Sequence, residues 1–139
     1  MTITQSEQIY LSSGLVLFCA GTLLGIPHGR SKRRGDAKNT ELWRIAHLST
    51  CVGGVSVLAL AMALPRLFGG DAGYILAPFA LSAYCFFIAC TLSGWLNKSW
   101  DDDRSEPGTA PVYWLQIAAS ILSVIAVSVT LPMLIWSVL

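Results

Sequence analysis

Residues 45–65 read IAHLSTCVGGVSVLALAMALP. The stretch holds no Asp, Glu, Lys or Arg, and its one imidazole, His47, lies about one turn from the start. A helix rises about 1.5 Å per residue and the hydrocarbon core of a bilayer is about 30 Å thick, so roughly 20 apolar residues cross it. Lipid offers the backbone no hydrogen-bond partners, so such a run predicts a helix rather than a strand. Three further runs, at 9–27, 73–97 and 110–139, read the same way. The nine Lys and Arg and the eight Asp and Glu all lie at or beyond the ends of these four runs. The pattern predicts an all-α membrane protein, residues 1–139 forming one domain of four transmembrane helices in one bundle.

Composition agrees. Charged residues make up 12% of the 139-residue chain, with a mean hydropathy of +0.60. Soluble domains carry about 25% charge, so a soluble enzyme and a disordered chain are both excluded. A formal net charge of +1 gives no polyelectrolyte character, and no nucleic-acid partner is expected. Residues 1–8 lack a basic residue and contain Glu7, unlike the positive start of a signal peptide, so the first span is expected to be kept.

Basic residues cluster after the first span (Arg30, Lys32, Arg33, Arg34, Lys38) and recur after the third (Lys98, Arg104), whereas the other side has Arg66. Positive-inside bias then puts both long loops in the cytoplasm and both termini outside, in the cytoplasmic membrane of a bacterium. The cluster at 30–34 reads first as this topology signal and second as an anionic-lipid or nucleic-acid patch. The acidic run Asp101, Asp102, Asp103 reads as a solvated connection rather than a metal site. Cys19, Cys51, Cys85 and Cys90 sit within spans without a CxxC pair, as small apolar residues.

Ionisable groups inside spans are costly and usually functional, which singles out His47. Its helical face continues through Thr50, Cys51, Gly54 and Leu58. Gly53 and Gly54 remove bulk about two turns on, as a flat macrocycle lying against the helix would require, and neutral imidazole is a common ligand of haem iron. The other reading of the same residues is an interfacial histidine bonded to a neighbour and a glycine pair that permits tight helix packing. His28, beside Pro27 in the exit of the first span, is a competing or second ligand, and a bis-His site would make an electron-transfer cytochrome. Gly21 and Gly25 form a GxxxG pair suited to close packing. Pro78 and Pro132 fall within the third and fourth spans.

The segment Trp43-Arg44-Ile45-Ala46-His47, then Gly54, then VLALAMALPRL at 57–67, resembles the W-x-x-A-H-x6-G segment and Leu-Pro-terminated run of the styrene oxide isomerase family. Asp71 falls at a similar distance after Leu64-Pro65. Leu17-Phe18-Cys19 and Thr22-Leu23-Leu24-Gly25 are similar to the family's opening helix. The likeness is clearest over the first half of the chain. It implies a trimer that binds haem b near subunit interfaces, with His47 on the iron. It further implies that ferric haem acts as a Lewis acid toward an epoxide oxygen, giving an aldehyde by hydride shift with no net redox change. The family places an asparagine where this chain has Gly53, and a tyrosine near the region 91–95, where this chain has none; Tyr84 lies about two turns earlier.

The expected cofactor contacts are therefore His47, Trp43, Thr50, Cys51, Gly53 and Gly54. Tyr84, Thr91 and Ser93 are candidates for the pocket of a small apolar substrate. No span contains a carboxylate or lysine, so no strong acid or base is available there. That also argues against a proton-coupled exporter. The alternative is a non-enzymatic haem-binding membrane protein, either a cytochrome b-like redox subunit or a haem carrier.

Overall fold

The computed structural model of the chain describes residues 4–68 and 72–138. It contains α1 (Gln5–Leu23), α2 (Gly25–Arg34), α3 (Ala37–Phe68), α4 (Gly73–Leu96) and α5 (Thr109–Val138), with no strand among the described residues. Four segments are long and apolar enough to cross a membrane, with α1 and α2 counting as one. Asp71, noted above for its spacing, lies outside the described residues.

Each helix boundary has a local cause. At the start of α1, the Thr4 hydroxyl accepts the Glu7 N–H at 3.3 Å, and the Glu7 carboxylate accepts the Thr4 N–H at 2.7 Å. This reciprocal box satisfies two donors that the first turn leaves free. Pro27 does not end the first span, as expected, but sits in the first turn of α2. A helix's first-turn N–H groups have no partner within it, so proline costs little there. The chain therefore only breaks stride at Leu24, and His28 belongs to a helix rather than to a polar exit. Gly35, at φ 73°, ends α2 in the left-handed conformation that glycine adopts freely. Asp36 then accepts the Asn39 N–H at 3.0 Å. This cap starts α3 well ahead of the apolar run, and α3 continues through Pro65 to Phe68. The helices α4 and α5 likewise continue through Pro78 and Pro132.

α3 is the central element, with α1 and α2 along one side and α4 along another; α1 also touches α4. α5 packs on α4 and stands off from α3. One core cluster joins Leu17, Val57 and Ala80 at mid-membrane. A second joins Ala61, Leu64, Ile75 and Leu76. A third, nearer the long loops, joins Trp43, Ala46 and Cys90. Large apolar side chains such as Leu23, Val52 and Val124 lie more than half exposed, as lipid-facing positions should.

The α1–α3 contact is the closest. A Cβ placed on Gly54 would lie 2.5 Å from the Phe18 backbone nitrogen, and one on Gly21 would lie 2.6 Å from that of Cys51. The GxxxG face therefore serves packing within the chain. At the loop end, Lys38 pairs with Asp102 at 2.8 Å, which ties the α4–α5 connection to α3. Asp102 also accepts the Ser99 N–H, and Asp103 the Ser105 N–H, so the acidic run folds its own loop. Arg104 lies over the Tyr113 ring at 3.9 Å.

Two outcomes follow. Gly54→Ala should destabilise the fold by about 1–3 kcal/mol through overpacking, whereas Gly29→Ala, with open space around it, should not. Thermal melting in detergent checks this, and equal melting of the two variants would remove the seam argument. The Lys38 hydrogen bond, and then the Ser99 N–H, hold the Asp102 carboxyl below the usual carboxylate range. A depressed carboxylate stabilises above its unfolded value, so the clasp should persist above about pH 4 and open as pH falls below that. Amide exchange in the loop should show this step, and Asp102→Asn should abolish it. A step surviving in Asp102→Asn would belong to another carboxylate.

Candidate functional site

His47 reaches its place because glycine lines the facing stretch of α1. With no side chain on Gly21, the two backbones approach until the His47 Nδ1 lies 2.7 Å from the Gly21 carbonyl oxygen. A carbonyl only accepts, so Nδ1 carries a proton and donates, and in the neutral ring the lone pair is then on Nε2. Nε2 has no hydrogen-bond partner among the described residues. Cys51 Sγ lies 3.9 Å from Nδ1, on the next turn of α3. Gly25 lies against the ring, where an added Cβ would meet Cε1 at 3.6 Å. From Cys51 a shallow apolar groove runs along the outer face of α3, past Val52 and Val55 to Ser56. The imidazole is itself half-buried.

This is the arrangement of a metal-binding histidine whose second nitrogen is held by a carbonyl. In its neutral form it would offer one nitrogen donor, with Cys51 on the next turn leading to the apolar groove, a donor of the kind that could hold a haem iron. Free aqueous metal ions are a poorer match, since the described residues contain no group of three or more His, Cys, Asp or Glu able to hold one.

The family model for styrene oxide isomerase matches residues 6–139. The chain belongs to the styrene oxide isomerase family. Membership extends the likeness seen in the first half over nearly the whole chain, and it makes isomerase the activity class. No curated protein and no solved structure matches this family member.

Within this isomerase-family chain the other expected site residues are dispersed. Thr50 is buried, its hydroxyl without a partner, in the same tight contact with Gly21 that holds His47. Trp43 is turned to α4, its indole filling the space that the missing side chain of Gly94 leaves. Gly53 faces Ala83 of α4, and Gly54 is filled by the α1 backbone. Gly54 thus serves helix packing, as the second reading of the glycine pair had it, whereas Gly53 is half-buried and meets Ala83 only at ordinary contact distance. Of the six expected contacts, His47 and Cys51 remain together on the open face.

The substrate candidates on α4 also separate. Tyr84 donates to the Ser13 carbonyl and accepts from its hydroxyl, both at 3.3 Å, which ties α4 to α1. The Thr91 hydroxyl is buried without a partner, and Ser93 lines a different cavity. His28 holds the Thr40 carbonyl at 3.2 Å, about two turns of α3, or some 10 Å, before His47. The two imidazoles thus bond to different carbonyls, Thr40 for His28 and Gly21 for His47. The residues missed from the sequence were Gly21 and Gly25 in their role at the imidazole. Their GxxxG spacing was visible, but a backbone carbonyl carries no sequence signal.

Nitrogen NMR of ring-labelled apo-protein should find His47 protonated at Nδ1 and bare at Nε2. The opposite tautomer would remove the Gly21 bond and with it the case for Nε2 as the donor.

Proposed function

We propose that the chain is a haem-b-dependent isomerase that converts a small apolar epoxide to a carbonyl compound. The observation that carries this reading is the 2.7 Å contact from His47 Nδ1 to the Gly21 carbonyl, which leaves Nε2 free. His47 would hold the iron, with Gly25, Cys51, Val52 and Val55 supplying the adjoining surface. Ferric haem held there would supply Lewis-acid chemistry toward an epoxide oxygen.

The remaining work falls to the chain. The Gly21 carbonyl fixes the ring plane and draws on the Nδ1 proton, which makes Nε2 a stronger donor. No carboxylate or lysine lies within the apolar runs, so the side chains there orient the substrate rather than move protons. The apolar surroundings exclude water and favour neutral aryl or alkyl epoxides over charged ones. The groove from Cys51 to Ser56 is shallow, and a homo-oligomer, a trimer by family likeness, would provide a second wall for it. The long loops would face the cytoplasm. The separate engagement of His28 with the Thr40 carbonyl favours this reading over a bis-His cytochrome.

Protein purified in detergent from haem-sufficient cells should show a Soret band and form aldehyde from apolar epoxides in the ferric state, with little turnover after dithionite reduction. His47→Ala should lose the band and lower turnover by at least about 100-fold. A colourless protein, or turnover that survives His47→Ala, would overturn the proposal. A coloured protein without isomerase activity would leave the haem carrier as the better reading.

A further inference from the structure

A second site lies on the other side of α3. Because α5 stands off from α3, a gap remains between them. At the loop end this gap is a cavity of about 190 Å³. Ile45 and Phe86 form its apolar walls, and Ser93 and Gln116 project from α4 and α5. The α4–α5 connection closes the end with Ser99 and Trp100. That connection is held in place by the Lys38–Asp102 pair and by the Ser99 N–H on Asp102.

The cavity is separate from the His47 face. Ile45 and Ser49 both line it, and each is two residues from His47. Two residues turn a helix by about 200°, so the imidazole and the cavity lie on opposite faces of α3.

Its polar groups are unspent. Ser93 is 4% exposed; its hydroxyl makes no hydrogen bond among the described residues and opens onto the cavity. The Gln116 carboxamide, about two turns inside α5, has none either; the Ser120 hydroxyl bonds its backbone carbonyl, not its side chain. Polar groups inside a span are costly when unpaired, and they usually face a partner or a pathway. Here both are donors that line one cavity, with no charged side chain around it.

We propose that this cavity binds a neutral, ring-sized molecule carrying an acceptor oxygen, such as a ketone, aldehyde or ether. Size and chemistry both set the class. An apolar cavity of about 150 Å³ holds benzene, so this one takes a ring and a few more atoms. The Ser93 hydroxyl and the Gln116 amide donate to the oxygen, Ile45 and Phe86 enclose the ring, and the lack of a cation excludes carboxylates. The site does not depend on the haem reading, since none of its residues belongs to the His47 face.

The test is ligand-observed saturation-transfer NMR on the full chain in detergent, as purified, with acetophenone as probe and benzoate as its anionic counterpart. Acetophenone should saturate the wild type and His47→Ala alike, and benzoate should bind neither. Gln116→Leu and Ser93→Ala should each weaken acetophenone about tenfold, the loss of one hydrogen bond, with melting unchanged. If Gln116→Leu does not fold, Ser93→Ala decides. The proposal is overturned by non-saturable transfer, which would leave a water-filled cavity, or by wild-type affinity in the folded variants. Loss of binding in His47→Ala would also overturn it, because the probe would then sit on the opposite face.

Discussion

The backbone contact between α1 and α3 is the constraint on which the rest depends. Between helices in lipid the hydrophobic effect offers little, because acyl chains are as apolar as the side chains; association rests on close packing and on polar contacts. Gly14 and Gly21 of α1 and Gly54 of α3 remove the bulk that would separate the two axes. The same approach delivers the Gly21 carbonyl to His47. A methyl group at the seam would spread the helices, weaken the fold and withdraw the acceptor together. Fold and candidate site therefore rest on one interaction.

Polar side chains do the rest of the stitching, and mostly in pairs. The Ser82 hydroxyl donates to the Ala119 carbonyl at 2.8 Å and meets the Ser123 hydroxyl at 2.6 Å, which fastens α5 to α4. Tyr84 joins α4 to Ser13 of α1, and the Tyr10 hydroxyl donates to the Gly73 carbonyl. Among the described residues ion pairs lie at the loop end, where Lys38 meets Asp102, Lys98 meets Glu106 and Arg44 meets Glu41. Against this economy, a bare His47 Nε2 and an unbonded Gln116 carboxamide stand out. Satisfied groups hold helices together, and unsatisfied ones are available to something else.

The asymmetry of the bundle decides where that availability lies. With α5 fastened to α4, the α3–α5 gap stays open enough for a cavity, while on the other side of α3 His47 lies half-buried against Gly21 and Gly25. One side of α3 thus presents a donor nitrogen beside an apolar surface. The other presents hydrogen-bond donors in a partly open cavity.

The sequence by itself determined the class and the count of spans. Length, apolar continuity and the placement of every charge at a span end leave a helix as the one structure that satisfies the backbone in lipid. It also isolated His47, since an imidazole among uncharged residues needs no neighbours to be conspicuous. The rest depended on direction in space. Gly53 and Gly54 are adjacent in the chain, but about 100° apart around the helix, so one meets α4 and the other α1. Tyr84 and Ser93 share α4 and yet serve different neighbours. Pro27 looked like an ending because its ring cannot continue a hydrogen-bond ladder, but in a first turn there is no ladder to break. The acceptor that orients His47 is a main-chain oxygen of the kind every residue possesses, and only the packing of two glycine-lined helices decided which of them the imidazole would meet.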